Sequence, residues 1–267
     1  MLFQEKLIQD VTNTCQVDGS IAAAMMYGSF TKGEGDTHSD VEFYIFVKDH
    51  RMEAFNAHEW VTNLFTTDLI YNNEYGTLVA IFSNLVRGEF HFLPQSEMNV
   101  IESFKQTGSF PKADQMFIYD ETDQLYNLLE ELSGDGPNWK TNEHVNDAFN
   151  NFVNRWIFGV NVLKRGEHAR SLDILSRVQN EVLKLLRIQE NTVERWINAT
   201  KNLEHDLSEH SYEKYRRTTA SLDRESLVNA YGHALRFVER LHTDLVRSYD
   251  LHLQENTLMK MHTHLYD

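Results

Sequence analysis

The most informative stretch of the sequence is MMYGSFTKGEGDTHSDVEFYIFV, residues 25–47, in the N-terminal half. An apolar run ends at Gly28 and Ser29, a glycine-rich loop follows, and a run of β-branched and aromatic residues begins at Asp40. This pattern predicts two strands separated by a polar loop. Because side chains alternate along a strand, Asp40 and Glu42 are predicted to lie on the same face.

Two neighbouring carboxylates and a Gly–Ser turn suggest a site for a metal and a phosphate. Asp40 and Glu42 repel one another unless a cation lies between them, and carboxylate oxygens are ligands that Mg²⁺ accepts. The turn at Gly28 and Ser29 offers backbone N–H groups and a hydroxyl, which are suited to holding a phosphate. The stretch therefore predicts a metal-assisted phosphate site.

Other phosphate and metal motifs do not fit these residues. A P-loop needs Lys and Ser or Thr after its last glycine, but Glu34 and Gly35 follow Gly33. A dinucleotide fingerprint needs glycine where His38 stands, and an EF-hand loop counted from Asp36 needs glycine at Val41. The alternative that stays open is a hairpin with a polar outer face.

The two halves of the chain differ in texture. Residues 1–137 contain short runs rich in β-branched and aromatic residues, which predict strands with short helices between them. Residues 138–267 carry long runs with apolar residues at three-to-four spacing, which predict long helices. The segment SGDGPN, residues 133–138, separates them. We predict an α+β fold, with a mixed-sheet domain over 1–137 and a helical bundle over 138–267.

The net negative charge of the chain lies entirely in the first half. The chain has 25 basic and 40 acidic residues and a net charge of −15, whereas residues 140–267 are balanced at 18 and 18. An acidic first half argues against DNA or RNA as the principal partner and favours a metal ion or a cationic small molecule. No apolar run reaches the roughly 18 residues that span a bilayer, and no secretory signal is visible. Together with the single cysteine, Cys15, this predicts a cytoplasmic protein without a membrane partner.

A Gly–Ser turn followed by a D-x-E strand resembles the nucleotidyltransferase superfamily that includes polymerase β and the antibiotic nucleotidyltransferases. The longer stretch, together with RGEFHF at 87–92 and LKRGEHARSL at 163–172, is similar to something narrower. It resembles the larger, two-domain type of lincosamide nucleotidyltransferase found in Gram-positive cocci. The resemblance runs over most of the chain and implies a polymerase-β-like catalytic domain.

The resemblance implies roles for the residues of the first stretch. Asp40 and Glu42 match the metal-binding pair, so Mg²⁺ is the expected cofactor and ATP the expected co-substrate. Ser29 matches the residue that contacts the β- and γ-phosphates, and Gly28 lets the backbone approach them. Lys32 stands where a basic residue often meets the phosphate tail.

Further site residues are predicted outside that stretch. Glu89, at the start of an aromatic strand, is the predicted catalytic base, because the attacking hydroxyl must lose a proton. Asp68, Glu74 and Glu97 are weaker candidates, since their segments suggest loop or helix. The substrate pocket is predicted to include Tyr44 and His91, which share faces with the carboxylates, and Lys164 of the helical half is predicted to reach the nucleotide. Among the helical aromatics, Trp156 and Phe158 are predicted to lie in the core.

The implied activity is transfer of AMP from ATP to a hydroxyl of a lincosamide such as clindamycin or lincomycin, with release of pyrophosphate. An aminoglycoside nucleotidyltransferase is the alternative of the same class, since the acidic half also suits those cationic drugs. A non-catalytic nucleotide-binding module, regulatory or antitoxin-like, is the alternative of another class. A homodimer paired through the neutral helical half is a further hypothesis.

Overall fold

The computed structural model describes residues 1–267 and divides into two compact units, Met1–Pro137 and Asn138–Asp267. The first unit contains a six-stranded mixed sheet and the second contains helices only. This arrangement confirms the predicted α+β class. No helix has both the length and the apolar character needed to cross a bilayer.

The sheet of the first unit has the strand order β3-β4-β5-β2-β1-β6, in which β2 and β5 are parallel and the other neighbours are antiparallel. Two strands, β3 and β6, lie at the sheet edges and were not predicted. The strands are β1 Ile21–Tyr27, β2 Val41–Val47, β3 Thr67–Asn72, β4 Leu78–Phe82, β5 Arg87–Pro94 and β6 Phe117–Asp120.

The helices of the first unit are mostly short. Only the first exceeds eight residues, and single 3₁₀ turns occupy Phe30–Lys32, Gln95–Glu97 and Lys105–Thr107. The α-helices are α1 Phe3–Val17, α2 Asp49–Met52, α3 Ala57–Thr62, α4 Val100–Phe104, α5 Ala113–Met116 and α6 Leu125–Leu132.

Each face of the sheet has its own apolar core. Alternation along β2 directs Val41, Phe43 and Ile45 to one face, where they are fully or almost fully buried with residues of α1 and α3. Phe46 points to the other face and packs with residues of α4, α5 and α6. The polar residues Glu42 and Tyr44 share that second face, toward the start of β2. The two cores thus hold β2 at the centre of the sheet with its first residues left for polar contacts.

The second unit consists of four long or medium helices and two short ones. Trp156 is fully buried in its core, as predicted, but Phe158 is 45% exposed because it lies on the opposite side of its helix, where the Arg170 guanidinium lies 5.4 Å from its ring centroid. The helices are α7 Asn142–Lys164, α8 His168–Gln189, α9 Leu203–Asp206, α10 Glu209–Arg216, α11 Arg224–Leu245 and α12 Glu255–Tyr266.

Candidate active site

Strands β1, β2 and β5 bring the predicted carboxylates together. Glu42 is the register partner of Glu89 across the parallel β2–β5 pair, and Tyr27 is the partner of Glu42 across β1–β2. Partners in register point to the same face, and neighbouring strands lie about 4.8 Å apart. Asp40 directly precedes β2. The structure therefore places Tyr27, Glu42 and Glu89 in one row, with Asp40 next to it.

Arg87, which the sequence analysis did not single out, joins two of these carboxylates. Its Nη1 donates a 2.7 Å hydrogen bond to Asp40 Oδ2, and its Nη2 donates to Glu89 Oε1. The guanidinium is 42% exposed, so solvent screens both ion pairs and they contribute little to stability. Strand alternation was the available signal, because Arg87 stands two residues before Glu89 and so shares its face.

Gly28 packs against Glu42 at a distance that only glycine allows. Its φ is +86°, in the left-handed region, and a Cβ added there would lie 1.7 Å from Glu42 Oε2. The turn that follows is tied down by Thr31, whose hydroxyl donates a 2.8 Å hydrogen bond to the Gly28 carbonyl. The Gly–Ser turn and Glu42 of β2 thus form one local arrangement.

Ser29 Oγ is buried and has no hydrogen-bond partner. A buried hydroxyl left without a partner costs free energy, and such groups are rare in folded proteins. A phosphate oxygen at this turn would satisfy it. The Ser29 hydroxyl therefore fits a bound phosphate. Lys32, at the end of the 3₁₀ turn, is exposed.

A buried glutamine orients the loop that leads into Asp40. Gln4 of α1 is 2% exposed, and its Nε2 lies 3.2 Å from the carbonyls of Asp36 and Thr37 and 2.9 Å from that of Ser39. Within the loop, the backbone N–H of His38 and the Ser39 hydroxyl donate to the Asp36 side chain, which lowers the pKa of that carboxyl. Nothing in the sequence pattern pointed to Gln4, since a lone glutamine on an amphipathic helix is ordinary.

An aromatic cluster continues the row on the same face. Tyr44 stacks on His91, with ring centroids 4.2 Å apart and planes 10° apart, and also contacts Phe104 at 4.9 Å. Tyr27 Oη lies 3.0 Å from His91 Nε2. The two residues predicted for the substrate pocket, Tyr44 and His91, are therefore in contact with each other. Their contact with a substrate stays a prediction.

Burial sets the protonation of this cluster. It raises the pKa of Tyr27 far above its usual range, and the negative charges of Glu42, Glu89 and Asp40 add to the effect. It also raises the pKa of Tyr44, and it lowers the pKa of His91 although Glu89 opposes the change. The tyrosines remain neutral and His91 is held toward its neutral form, so the charge on this face comes from the carboxylates and Arg87.

A cavity of about 420 Å³ opens beside Asp40 and Arg87. It lies between the loop that precedes β2 and the turn that joins β4 to β5, where Leu85 has a φ of +65° and is 79% exposed. Tyr44 and His91 do not line it. The cavity gives a small molecule access to Asp40, at one end of the cluster of carboxylate residues.

No group of three or more His, Cys, Asp or Glu side chains lies close enough together to hold a metal ion unaided. Mg²⁺ rarely needs such a group, since it is usually held by one or two carboxylates together with substrate phosphates and water. Asp40 and Glu42 fit this requirement when a triphosphate supplies the remaining oxygens.

The other predicted residues lie elsewhere. Lys164 is the last residue of α7 in the second unit and is exposed, in a position where a cation also interacts favourably with the helix dipole. Asp68 lies in β3, not in a loop or helix as predicted, and accepts a hydrogen bond from the Ser83 hydroxyl. Glu97 lies on an exposed 3₁₀ turn.

Residues 141–264 match the family model described as "Lincosamide nucleotidyltransferase-like, C-terminal domain". This match covers nearly all of the second unit and confirms the family resemblance seen in the sequence. No curated protein matches the chain.

Two solved structures align with nearly the whole chain. An aminoglycoside 6-adenyltransferase from Bacillus subtilis has a TM-score of 0.43 at 12% identity, over 98% of this chain and 95% of that one. A nucleotidyltransferase-like protein from Exiguobacterium sibiricum 255-15 has a TM-score of 0.42 at 12% identity, over 98% and 87%. The family resemblance therefore rests on the match of residues 141–264.

Proposed function

We propose that this chain is a Mg²⁺-dependent nucleotidyltransferase that transfers AMP from ATP to a hydroxyl of a lincosamide such as clindamycin or lincomycin. The observation that carries the proposal is the placement of Glu42 and Glu89 in register on β2 and β5, with Asp40 and the Gly28 turn at the same end of the sheet. The family match of the second unit supports the lincosamide class of acceptor.

The chain's own residues divide into three roles in this proposal. Asp40 and Glu42 hold Mg²⁺, which when bound neutralises charge on the triphosphate. The Ser29 hydroxyl, which lacks a partner in the protein, donates to a phosphate oxygen, and Gly28 allows the close approach of the backbone. Lys32 contributes a positive charge near the departing pyrophosphate.

Glu89 acts as the general base. In the transfer, the acceptor oxygen forms a bond to the α-phosphorus, the bond between that phosphorus and the pyrophosphate oxygen breaks, and Glu89 takes the hydroxyl proton. Arg87 donates to Glu89 and Asp40 at once. It therefore holds both carboxylates in place before the substrates bind.

Mass spectrometry of the acceptor tests this proposal. The protein is incubated with ATP and Mg²⁺ and with either clindamycin or kanamycin, and an Asp40→Asn variant serves as the control. We expect an AMP adduct of clindamycin that the variant does not form. An adduct on kanamycin alone would keep the chemistry and replace the acceptor with an aminoglycoside. No adduct on either drug, with nucleotide still bound, would favour a non-catalytic nucleotide-binding module.

Three parts of the proposal concern the whole protein. Lys164 contacts the nucleotide, the protein works in the cytoplasm, and it pairs into a homodimer through its helical half. Light scattering at working concentration tests the pairing, and a monomer would contradict it. A Lys164→Ala variant with unchanged KM for ATP would remove that residue from the site.

A further inference from the structure

The second unit contains a small pocket walled by positive charge. Four cationic side chains and His233 surround a cavity of about 150 Å³ whose remaining lining residue is Phe237. No carboxylate lines it, although this half of the chain carries equal numbers of acidic and basic residues. The four cations are Lys214, Arg217, Arg236 and Arg240.

Helical spacing explains how the cations converge. His233, Arg236 and Arg240 lie at i, i+3 and i+7 of α11 and so share one side of that helix. Lys214 lies in the last turn of α10, and Arg217 directly follows the helix. Phe237 forms an apolar wall of the pocket at 5% exposure, with the Lys214 ammonium 5.8 Å from the centre of its ring.

The charges in this pocket are not neutralised within the protein. None of the four cations forms an ion pair with a carboxylate, whereas the neighbouring Arg216 pairs with Glu213 at 3.1 Å. Arg236 donates instead to His233 Nδ1 at 3.3 Å, which requires that nitrogen to be unprotonated. Burial, and then the charges of Arg236 and Arg217, lower the pKa of His233. The protein therefore keeps a concentrated positive field here.

Ordinary structural reasons account for only part of this arrangement. Cations near the end of α10 interact favourably with the helix dipole, and this explains the positions of Lys214 and Arg217. Arg236 and Arg240 lie within α11, before its last turn, and gain nothing from that effect. Like charges gathered around one concave site repel each other, so their convergence favours an anionic ligand.

We propose that this pocket binds a diphosphate group, either free pyrophosphate or the diphosphate of a nucleotide. Guanidinium groups match phosphate oxygens in geometry and charge, and a diphosphate carries enough negative charge to balance several of them. The cavity of about 150 Å³ has room for a group of this size. The inference stands on the second unit alone and does not depend on nucleotidyl transfer.

Isothermal titration calorimetry of the full chain without divalent metal tests the proposal. Pyrophosphate, ADP and inorganic sulfate are titrated in turn. We expect pyrophosphate to bind with one-to-one stoichiometry and sulfate to bind more weakly. Comparable binding of ADP would assign the site to the diphosphate of nucleotides, and pyrophosphate binding without ADP binding would assign it to the free ion. Absence of pyrophosphate binding would overturn the proposal.

Variants locate the binding. Arg236→Gln and Arg240→Gln should each weaken pyrophosphate binding by about tenfold or more, since each removes a charge-assisted contact. Arg247→Gln, an exposed arginine outside the pocket, serves as the matched control and should leave binding unchanged. Ser29→Ala, which alters the candidate active site, should also leave it unchanged. Loss in Ser29→Ala with full binding in the two pocket variants would place the diphosphate at the active site and contradict the proposal.

Discussion

Arg87 donates a 2.7 Å hydrogen bond to Asp40, the carboxylate proposed to hold the metal, and the same guanidinium also donates to Glu89, the proposed base. Arg87 of β5 thus links Asp40, which directly precedes β2, with Glu89, which lies two residues further along β5. If Asp40 holds the metal as proposed, Arg87 and the metal ion compete for the same carboxylate.

Removal of Arg87 is therefore expected to tighten metal binding. In Arg87→Gln, the Mg²⁺ concentration at half-maximal activity should fall by about two- to fivefold, the range that a partly exposed ion pair supports. A Mg²⁺ titration of pyrophosphate release measures it, with the exposed Arg51→Gln as the control. A higher Mg²⁺ requirement would show that Arg87 assists the metal and does not compete with it.

Replacement of Glu89 separates binding from chemistry. Glu89→Gln keeps the size of the side chain but cannot accept the hydroxyl proton, so kcat should fall by about 100- to 10,000-fold. Calorimetric ATP affinity should change little. Glu97→Gln, an exposed glutamate on a 3₁₀ turn, is the matched control and should keep full turnover. An unchanged kcat in Glu89→Gln would remove this residue from the mechanism.

A pair of glycine variants separates backbone strain from active-site damage. Gly28 and Gly76 have φ angles of +86° and +80°, but an added Cβ meets Glu42 only at Gly28. Alanine at either position should lower the free energy of unfolding by about 1–3 kcal/mol through strain. Only Gly28→Ala should also lose activity, because Glu42 must move. Urea unfolding and turnover assays measure the two effects, and equal activity in both variants would contradict the role given to the turn.

The depressed pKa of His233 makes stability depend on pH. Since its folded-state value lies below the ordinary 6.5, the unfolded chain binds this proton more readily, and the free energy of unfolding decreases as pH falls through 6.5. The charged groups that line the pocket with it are Lys214, Arg217, Arg236 and Arg240.

An NMR titration of the histidine rings checks this account. Arg236→Gln should move the pKa of His233 up toward its usual value, because one of the positive charges that lower it is removed. The Arg247→Gln control should leave it in place. A pKa of His233 at or above 6.5 in the unaltered protein would contradict the positive field described for the pocket.

Much of the candidate active site was predictable because its residues lie close together in the sequence. The alternation that places Asp40 and Glu42 together, and the chemistry of a Gly–Ser turn, operate within about twenty residues. To predict that Glu89 lies beside Glu42, one needed only to assume that the two aromatic strands are neighbours in the sheet. Long periodic segments likewise predicted α7 and α11, since a continuous apolar stripe has few other uses.

The features that sequence reasoning missed depend on contacts between distant segments. Gln4 reaches the 36–39 loop from another element, and no pattern within α1 signals it. Strand β6 has four residues and most of β3 is exposed, so neither carried enough apolar alternation to be recognised. The basic pocket required α10 and α11 to be adjacent, which the spacing within each helix does not reveal.

Isotope tracing tests the proposed transfer of a nucleoside monophosphate. Protein, Mg²⁺ and clindamycin are incubated with ATP that carries ³²P in either the α- or the γ-phosphate. We predict that α-label appears on the drug, that γ-label appears only in pyrophosphate, and that Asp40→Asn abolishes both. Transfer of the γ-label to the drug, or no transfer from either ATP, would contradict the account.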